Sequence, residues 1–298
     1  HSMGMSAQEL MELDAEYGKW IGQQISSFIK ATNSNVDIIG SHGHTVFHNP
    51  QKGVSVQIGN GAQIASETGI RCVSNFRSGD VARGGQGAPL VPVGDELLFA
   101  EYDLCLNIGG IANISFKENG KRVAFDICPA NMVLNHFSQT QQLPFDENGS
   151  LGKQGKINGS LLEELNNLEF YGQSGPKSLG REWFESNFLP IFQSYNISTF
   201  DKLRTCYEHI ATQVSNVFNT KKNVKILATG GGSKNEFRIE CIKQKTGNHI
   251  VIPKAEIIDY KEAIIFGFLA VLYILDIPTC LSSATGAKFD SVGGCLYK

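Results

Sequence analysis

The feature that most constrains this chain is a series of three short apolar runs separated by glycine-containing turns. The first two runs lie on either side of Gly109-Gly110, and the third occupies residues 122–128 after Asn119-Gly120. An Asn-Gly pair between alternating apolar runs is a strong short-range signal for a β-hairpin. The sequence therefore predicts a three-stranded meander over residues 103–128.

The Gly109-Gly110 pair can let the backbone approach a ligand closely, and its amide groups can face an anion. Asp126 lies at the end of the third strand, and we expect it to point toward whatever the glycine turn holds. A phosphate-binding turn beside a carboxylate indicates phosphoryl transfer, with Asp126 as the base that orients or deprotonates the nucleophile. Two unrelated turns, with Asp126 capping a helix predicted at 130–140, explain the same residues.

Composition bounds the class of protein. With 298 residues, the chain can form two domains or one large one. A formal net charge of -3 gives no electrostatic reason to expect nucleic acid or an anionic membrane as a partner. The 7 cysteines are scattered without a CxxC pair, which favours a reducing, cytoplasmic location over disulfides or a zinc site. The apolar run 263–275 is shorter than the roughly 20 residues that span a bilayer, so it predicts a buried helix.

Helical and strand patterns alternate along the chain, which predicts an α/β fold with mixed sheets. Helices are expected at residues 6–30, 62–68, 130–140, 161–168, 200–218, 235–246 and 261–275. Strands outside the meander are expected at residues 36–39, 54–58, 71–76, 224–229 and 249–252. A break in composition near residues 92–100 divides a first part, 1–98, from a longer second part, 99–298.

Some segments carry more specific expectations. Ser6 and Glu9 form a capping box for the first helix, whose apolar stripe includes Trp20 and Phe28. The polar, glycine-rich residues 144–160 predict an exposed excursion. Residues 175–184 predict a tight loop that opens a helix.

A glycine-rich loop at 77–92 follows a predicted strand, where α/β proteins often carry functional residues. Arg77 and Arg83 in this loop suit an anionic or polyhydroxyl substrate, because a guanidinium donates hydrogen bonds in a fixed fork. A surface ion pair with Asp80 explains the same arginines.

Three histidines, His42, His44 and His48, lie close together in the sequence. Their HxHxxxH spacing could bind a metal, but neither cysteines nor a carboxylate pair accompany them. The sequence favours His44 and Thr45 as hydrogen-bond donors to a ligand, and no metal ligands are assigned.

The Gly230-Gly231-Gly232 segment follows a buried strand and precedes a helix, where it could accommodate a nucleotide base or ribose. A tight strand–helix turn also explains it. The chain has no GxxxxGK[ST] motif and no GxGxxG motif that follows a strand and opens a helix. Neither a P-loop nor a dinucleotide site is therefore expected.

Several longer motifs occur in one order along the chain. They are Gly40-Ser-His-Gly-His-Thr-Val46, Val56-Gln-Ile-Gly-Asn-Gly61, Asn75-Phe-Arg-Ser-Gly-Asp80, Gly84-Gly-Gln-Gly-Ala-Pro-Leu-Val-Pro92, Leu106-Asn-Ile-Gly-Gly-Ile-Ala-Asn-Ile-Ser115, Phe125-Asp126 with Pro129 and Asn131, Pro176-Lys-Ser-Leu-Gly-Arg-Glu182, Ala228-Thr-Gly-Gly-Gly-Ser-Lys-Asn235 and Lys261-Glu-Ala263. In this order they resemble the anhydro-N-acetylmuramic acid kinases, which have the two-lobed sugar-kinase, Hsp70 and actin fold.

The resemblance implies an ATP-dependent kinase of murein recycling that converts anhydro-N-acetylmuramic acid to N-acetylmuramic acid 6-phosphate. ATP would bind in a cleft, with Mg²⁺ on its phosphates. Residues 1–98 would form a partial first lobe on the substrate side. Residues 99–298 would form the nucleotide-side lobe, with a C-terminal segment that can return to the first. A homodimer is compatible with an exposed sheet edge and the apolar helix 261–275.

The same resemblance assigns site residues. Asp126 would activate the water that opens the 1,6-anhydro ring while O6 takes the γ-phosphoryl group. Sugar contacts would be Thr45, Arg77 and Glu262. The nucleotide would contact Asn107, Gly109, Gly110, Asn113, Gly230, Gly231 and Gly232.

The chain departs from the family pattern in three places. The family's first phosphate loop, of the Gly-Thr-Ser-Leu-Asp-Gly type, is absent, which predicts an incomplete first lobe, poor ATP binding and little turnover. Ile127-Cys128 and Ala130 replace Thr-Gly and Gly, which would tighten the space beside the nucleotide. His44 replaces Gln and adds a titratable group near the sugar.

Two other functions fit less of the sequence. A catalytically inactive relative could bind a sugar or a partner protein, which the missing phosphate loop favours and the retained Asp126 and Arg77 disfavour. An Hsp70-like ATPase module would lack a substrate-binding domain.

Overall fold

The computed structural model describes residues 4–173, 177–218 and 223–298. Its backbone contacts divide the chain into two compact units. The first unit combines His1–Leu98 with Glu262–Lys298, and the second unit is Phe99–Lys261. The segment after residue 261 therefore lies in the same unit as the N-terminal part of the chain.

Helices occur in both units. They are α1 (Ala7–Thr32), α2 (Gly61–Thr68), α3 (Ser78–Ala82), α4 (Val91–Leu97), α5 (Asn131–Gln139), α6 (Gly159–Asn166), α7 (Glu169–Gly172), α8 (Arg181–Trp183), α9 (Thr199–Phe218), α10 (Glu236–Thr246), α11 (Ala255–Ile274) and α12 (Ser282–Thr285). Among the described residues, no helix combines the length and the hydropathy needed to cross a membrane.

The strands form three sheets. They are β1 (Ile39–Gly40), β2 (His44–Asn49), β3 (Val54–Ile58), β4 (Cys72–Ser74), β5 (Leu104–Ile108), β6 (Ile111–Glu118), β7 (Lys121–Pro129), β8 (Lys225–Thr229), β9 (His249–Val251) and β10 (Cys295–Tyr297). In the first unit, β1-β4-β10 form one sheet and β2-β3 a separate hairpin. In the second unit, the order is β7-β6-β5-β8-β9.

The predicted meander is confirmed. Strands β5, β6 and β7 pair antiparallel in sequence order, and β8 and β9 extend the sheet in parallel. Asn119 and Gly120 have φ angles of 49° and 79°, the left-handed values that a two-residue hairpin turn needs. Each unit contains parallel as well as antiparallel strand pairs, so the predicted α/β class with mixed sheets is confirmed.

The main core lies on one face of this five-stranded sheet. Strand residues Leu106, Ile108 and Ile114 are buried there together with side chains of α5, α6 and α9. Helix α9 confirms its predicted apolar face, because Leu203 and Ile210 are fully buried. Burying this face supplies the hydrophobic stabilisation that holds the helices against the sheet.

Helix α1 begins with the expected capping box, in which Ser6 and Glu9 exchange hydrogen bonds. Its predicted apolar stripe is partly wrong, because Trp20 and Phe28 are 53% and 64% exposed. The helix instead packs on α2 through two buried glycines, Gly18 against the backbone of Asn60 and Gly22 against the side chain of Glu67. The close packing at these two glycines, rather than the predicted stripe with its aromatic residues, therefore determines which face of α1 is buried.

Residues 144–160 were expected to be an exposed excursion. Most of them are exposed as predicted, but the segment is anchored to the protein at Asp146. The Asp146 carboxylate is 3% exposed and accepts hydrogen bonds from Leu151 N (2.8 Å), Gly152 N (3.0 Å) and the Tyr207 hydroxyl (3.0 Å). A buried carboxylate needs such donors, and together they fold the segment onto α9.

Other boundaries differ locally. The loop expected at 77–92 contains α3 and the start of α4, and β2 was not anticipated. Helix α11 begins at Ala255 rather than at residue 261. The polar C-terminal segment includes β10, which pairs with β4. The start of the loop expected at 175–184 lies outside the described residues, since the structure resumes at residue 177.

Two glycine substitutions should affect stability in opposite directions. A Cβ at Gly18 would lie 2.7 Å from Asn60 N, so Gly18→Ala should lower the free energy of unfolding by about 1–3 kcal/mol through overpacking. A Cβ at Gly267, inside α11, meets no described atom within 4 Å. Gly267→Ala should therefore raise the free energy of unfolding by about 0.5–1 kcal/mol. Urea unfolding measures the free energy of unfolding of both variants. If the two variants lost the same amount, the close packing of α1 against α2 at Gly18 would be contradicted.

Candidate active site

Four polar side chains lie in one row across the sheet of the second unit. Thr229 on β8 pairs with Asn107 on β5, Asn107 pairs with Asn113 on β6, and Asn113 pairs with Asp126 on β7. Residues directly opposite each other project from the same face of a sheet. The intervening residues face the main core, so this polar row projects from the other face. Three of its members are residues that the sequence assigned to the site, and Thr229 was missed.

A β-bulge fixes the end of the polar row. Asn113 pairs with Asp126, but the preceding Ala112 pairs with Cys128, which leaves Ile127 as an extra residue in β7. Such a bulge re-aims the side chains on either side of it. Ile127 and Cys128 therefore both enter the core, while Asp126 stays in the row. The expected tightening beside the nucleotide is not found, because these side chains and Ala130 are buried in the core.

Asp126 is held by a neighbouring chain segment. Its Oδ2 accepts a hydrogen bond from Leu179 N at 2.8 Å, and its own N–H donates to Lys177 O at 2.9 Å. Burial raises the pKa of the Asp126 carboxyl above its ordinary value, and the bond from Leu179 offsets part of that rise. A carboxylate with a raised pKa is a better proton acceptor near neutral pH.

The alternative role for Asp126 as a helix cap is wrong. The residue before α5 is Ala130, and no side chain caps that helix.

The Gly109-Gly110 turn joins β5 to β6 and is fixed by the start of α5. Gly109 O accepts from Asn131 N at 3.0 Å, and Gly110 O accepts from Ala130 N and Met132 N at 2.8 and 3.0 Å. Neither glycine has a positive φ, and a Cβ on either would meet no atom closer than 3.5 Å. A side chain at either position would therefore make only ordinary contacts with the protein, and Gly110 is exposed, so a ligand can approach the turn there.

The three glycines after β8 differ in what they do. Gly230 has a φ of 79°, and a Cβ there would lie 2.6 Å from Asn107 Oδ1. Gly232 is buried beside Ile108, so a tight turn accounts for these two glycines. Gly231 is exposed, and a Cβ there meets no described atom within 4 Å. The exposed surface of this loop is thus at Gly231.

Arg238 links the two glycine segments. It is 2% exposed, and its Nη1 donates to Asn131 Oδ1 at 2.6 Å. A Cβ on Gly232 would collide with the same Nη1, so the guanidinium lies directly against that loop. Arg238 therefore connects the start of α5, which holds the Gly109-Gly110 turn, with the Gly230–Gly232 loop. The sequence offered no signal for this role beyond a basic residue early in a helix.

Thr229 carries an unsatisfied polar group. Its side chain is 0% exposed, and its Oγ1 has no hydrogen-bond partner among the described residues. An unpaired buried hydroxyl costs about 1–3 kcal/mol, which native proteins seldom accept without a reason. A hydroxyl ending the otherwise apolar run of Ile226, Leu227 and Ala228 was the available sequence signal.

The first unit contains a second group of predicted residues around Arg77. The Nε and Nη2 atoms of Arg77 lie 3.1 and 2.8 Å from His42 Nε2, and its Nη1 donates to Gly87 O. Burial lowers the pKa of Arg77 and of His42, and the negative charge of Glu262 opposes that shift in both groups. Glu262 is thus near enough to act on Arg77 electrostatically, and His42 contacts Arg77 directly.

Thr45 lies on β2, where its Oγ1 accepts from Gln57 Nε2 at 3.3 Å. His48 Nδ1 on the same strand lies 3.1 Å from Ser55 Oγ. Across the part of the chain that the structure describes, no group of three or more His, Cys, Asp or Glu side chains could hold a metal ion.

The proposed surface pairing of Arg77 and Arg83 with Asp80 is wrong. Asp80 is 0% exposed and accepts from Gly87 N at 2.8 Å and Thr285 Oγ1 at 2.7 Å. Arg83 Nη1 donates instead to Gly79 O at 2.6 Å. The aspartate thus joins the glycine-rich loop to α12, which leaves Arg77 oriented by His42 and Gly87.

Comparison with known proteins decides the family. The model of the family described as "Anhydro-N-acetylmuramic acid kinase" matches residues 2–298. The chain belongs to the anhydro-N-acetylmuramic acid kinase family. The resemblance carried by the sequence motifs is thereby confirmed.

Curated members of the family are similar over almost the whole chain. Anhydro-N-acetylmuramic acid kinase of Pseudomonas syringae pv. syringae is 32% identical, with 98% of this chain and 85% of the relative covered. The protein of the same name from Acaryochloris marina is 35% identical, with 98% and 84% covered. The one from Neisseria meningitidis serogroup C is 34% identical, with 100% and 83% covered.

Solved structures are similar at a lower level. A ROK family glucokinase from Streptomyces griseus, in complex with glucose and AMPPNP, superposes with a TM-score of 0.40 at 12% identity. The superposition covers 85% of this chain and 88% of the glucokinase.

Removing the Thr229 hydroxyl should not cost stability. Thr229→Val should raise the free energy of unfolding of the ligand-free protein by about 1 kcal/mol, because it removes an unsatisfied buried group. Thr205 is the matched control, since its equally buried hydroxyl donates to Asp201 O (2.7 Å) and accepts from Asn158 N (3.0 Å). Thr205→Val should lower the free energy of unfolding by about 1–2 kcal/mol. Chemical unfolding measures both, and equal losses would mean that Thr229 has a partner.

Proposed function

We propose that this protein transfers the γ-phosphoryl group of ATP to O6 of 1,6-anhydro-N-acetylmuramic acid as water opens the anhydro ring. The product is N-acetylmuramic acid 6-phosphate, an intermediate of murein recycling. Family membership supports the kinase activity. The observation that carries the assignment of residues is the polar row, which ends at Asp126 and passes beside the open Gly109-Gly110 turn.

Asp126 is the general base of this proposal. Its carboxylate takes a proton from a water molecule, which attacks C1 of the sugar. The C1–O6 bond breaks, O6 attacks the γ-phosphorus, and the bond from that phosphorus to the oxygen bridging it to ADP breaks. Leu179 N holds Oδ2 at 2.8 Å, which fixes the carboxylate while burial raises its pKa.

The nucleotide is proposed to lie along the polar row. Asn107 and Asn113 offer carboxamides beside the Gly109-Gly110 turn, whose exposed Gly110 leaves the phosphates access to the backbone. Gly231 presents the exposed part of the adenosine loop formed by Gly230–Gly232. Oxygens of ATP itself would hold Mg²⁺, which neutralises phosphate charge, and the described carboxylates form no cluster that would bind it independently.

The sugar is proposed to contact Thr45, Arg77 and Glu262. Arg77 can donate to an acid group or to hydroxyls, and Glu262 is exposed and can accept from hydroxyls. Muramic acid offers both kinds of group.

A cytoplasmic location and a homodimer are also proposed. All 7 cysteines are free thiols, six of them buried, which suits a reducing compartment.

In the first unit, Ile264, Val271 and Ile274 of α11 are 38%, 41% and 41% exposed at helical spacing, which suits burial against a second copy. Sedimentation velocity measures the oligomeric state, and a monomer at working concentrations would contradict the dimer.

Asp126→Asn should abolish the base while keeping the shape of the site. We expect kcat to fall about 10²–10⁴-fold with little change in the binding of ATP or sugar. In the unsubstituted protein, kcat should fall as the pH drops through the raised pKa of Asp126, because the protonated carboxyl cannot accept a proton. Asp201→Asn is the control, since Asp201 accepts from Lys156 N on the surface of α9. Full activity of Asp126→Asn in a coupled ADP-release assay would contradict the assignment.

A side chain at Gly110 should block the nucleotide without disturbing the fold. Gly110→Val should weaken ATP binding about tenfold or more, because the space above the turn is filled by the new side chain. The unfolding temperature of the ligand-free protein should not change. Gly159→Val is the control, since Gly159 is exposed like Gly110 and a Cβ there meets no described atom within 4 Å. Calorimetric titration with ATP measures this, and wild-type affinity in Gly110→Val would place the phosphates elsewhere.

A further inference from the structure

His42 makes hydrogen bonds through both of its ring nitrogens. Its Nδ1 lies 3.0 Å from Gly43 O, and a carbonyl can only accept, so Nδ1 carries the proton. Its Nε2 lies 2.8 and 3.1 Å from Nη2 and Nε of Arg77, and a guanidinium can only donate, so Nε2 is bare. These contacts define one neutral tautomer.

The ring itself is also fixed. Its centroid lies 4.6 Å from that of Phe266 on α11, with an angle of 57° between the planes. Phe266 is 3% exposed and packs on Phe76 as well, with centroids 5.6 Å apart. Tilted aromatic contacts of this kind are favourable and directional. His42 therefore presents Nε2 to Arg77 from a rigid support.

This support determines which N–H groups of Arg77 can reach a ligand. Three of its five N–H groups are directed at protein acceptors, two at His42 Nε2 and one at Gly87 O. One N–H on each Nη is left for a ligand. Loss of the His42 contacts would let the long Arg77 side chain rotate. Ligand binding would then carry the entropic cost of ordering that side chain, which lowers the affinity.

We propose that His42 is a positioning residue for the sugar, whose neutral ring orients the Arg77 guanidinium and whose protonation releases it. The inference rests on the proposed role of Arg77 as a sugar contact. A protonated ring donates from both nitrogens, so it would replace the acceptor at Nε2 with a donor and place two positive charges together.

The charged groups around the ring determine the direction of the pH effect. Burial lowers the pKa of His42 below its ordinary value, and the positive charge of Arg77 lowers it further. Gly43 O and the carboxylate of Glu262 on α11 oppose this shift, and His44 on β2 adds a smaller lowering effect. The neutral form is therefore present at neutral pH and is lost as the pH falls through the lowered pKa. The affinity for the sugar should therefore fall as the pH drops through the pKa of His42.

The test compares two variants of His42 in the full chain. His42→Gln keeps an acceptor and a donor on one side chain and does not titrate, so it should retain sugar binding at neutral pH and lose the acid-side decline. His42→Phe keeps a ring against Phe266 but offers no acceptor, so it should weaken sugar binding about tenfold or more at every pH. His42→Phe should raise KM for the sugar, and neither variant should change KM for ATP.

The readout is calorimetric titration with 1,6-anhydro-N-acetylmuramic acid, without nucleotide, at several pH values below and above neutrality. His48→Gln is the control, because His48 contacts Ser55 on the same hairpin and should keep the acid-side decline. An acid-side decline that persists in His42→Gln would show that a group other than His42 causes it and would overturn the proposal. Unchanged affinity in His42→Phe would overturn it as well.

The design separates this proposal from the proposed function. If the unsubstituted protein binds the sugar but releases no ADP with ATP present, the kinase assignment fails while the role of His42 is still measured. If it binds no sugar at any pH, both the sugar site and the role of His42 are wrong.

Discussion

The pairing register of β5 with its two neighbours is the constraint on which the candidate site depends. Side chains alternate between the faces of a strand, so a slip of one residue would send Asn107 and Asn113 into the core and bring Leu106 and Ile114 out. The burial of those apolar residues therefore fixes where the polar row lies. The bulge at Ile127 then lets β7 place Asp126 in the row and Cys128 in the core. The burial of apolar side chains on one face of the sheet thus positions the polar row on the other face.

Buried polar groups hold the loops at the ends of these strands. Arg238 donates to Asn131, whose own N–H is bonded to the Gly109 carbonyl. Nearby, Asn235 donates to the Tyr207 hydroxyl at 2.9 Å, and that hydroxyl donates to Asp146. Groups of this kind are costly to bury unless they are hydrogen-bonded, so the network is stable only when every member is in place. These hydrogen bonds hold the two glycine segments, whose exposed residues Gly110 and Gly231 are available to a ligand.

The parts that could be predicted from the sequence rest on local signals. The meander follows from alternation and from Asn119-Gly120, although Asp126 lies inside β7 rather than at its end as predicted. Family motifs then supplied Arg77 and the glycine segments, and the family itself is confirmed. These signals need no knowledge of which distant segments meet.

The parts that were missed depend on such distant contacts. His42 bonds Arg77 across 35 residues of sequence, and β10 pairs with β4 although it is three residues long. Asp146 is buried in a segment whose composition indicates solvent exposure, because its partners come from α9 and from its own tight turns. The unsatisfied hydroxyl of Thr229 is visible only when every neighbour has been placed. Local patterns cannot show these features, since tertiary packing creates them.

The step on which this account depends is the attack of water on C1 of the sugar while O6 receives the phosphoryl group. It is tested most directly by turnover in oxygen-18 water with ATP and the anhydro sugar, followed by mass spectrometry of the products. The account predicts one heavy oxygen in the sugar phosphate, on C1, and none in the transferred phosphoryl group. Heavy oxygen in free inorganic phosphate, with an unlabelled and unopened sugar, would show that water attacks ATP instead and would contradict the account.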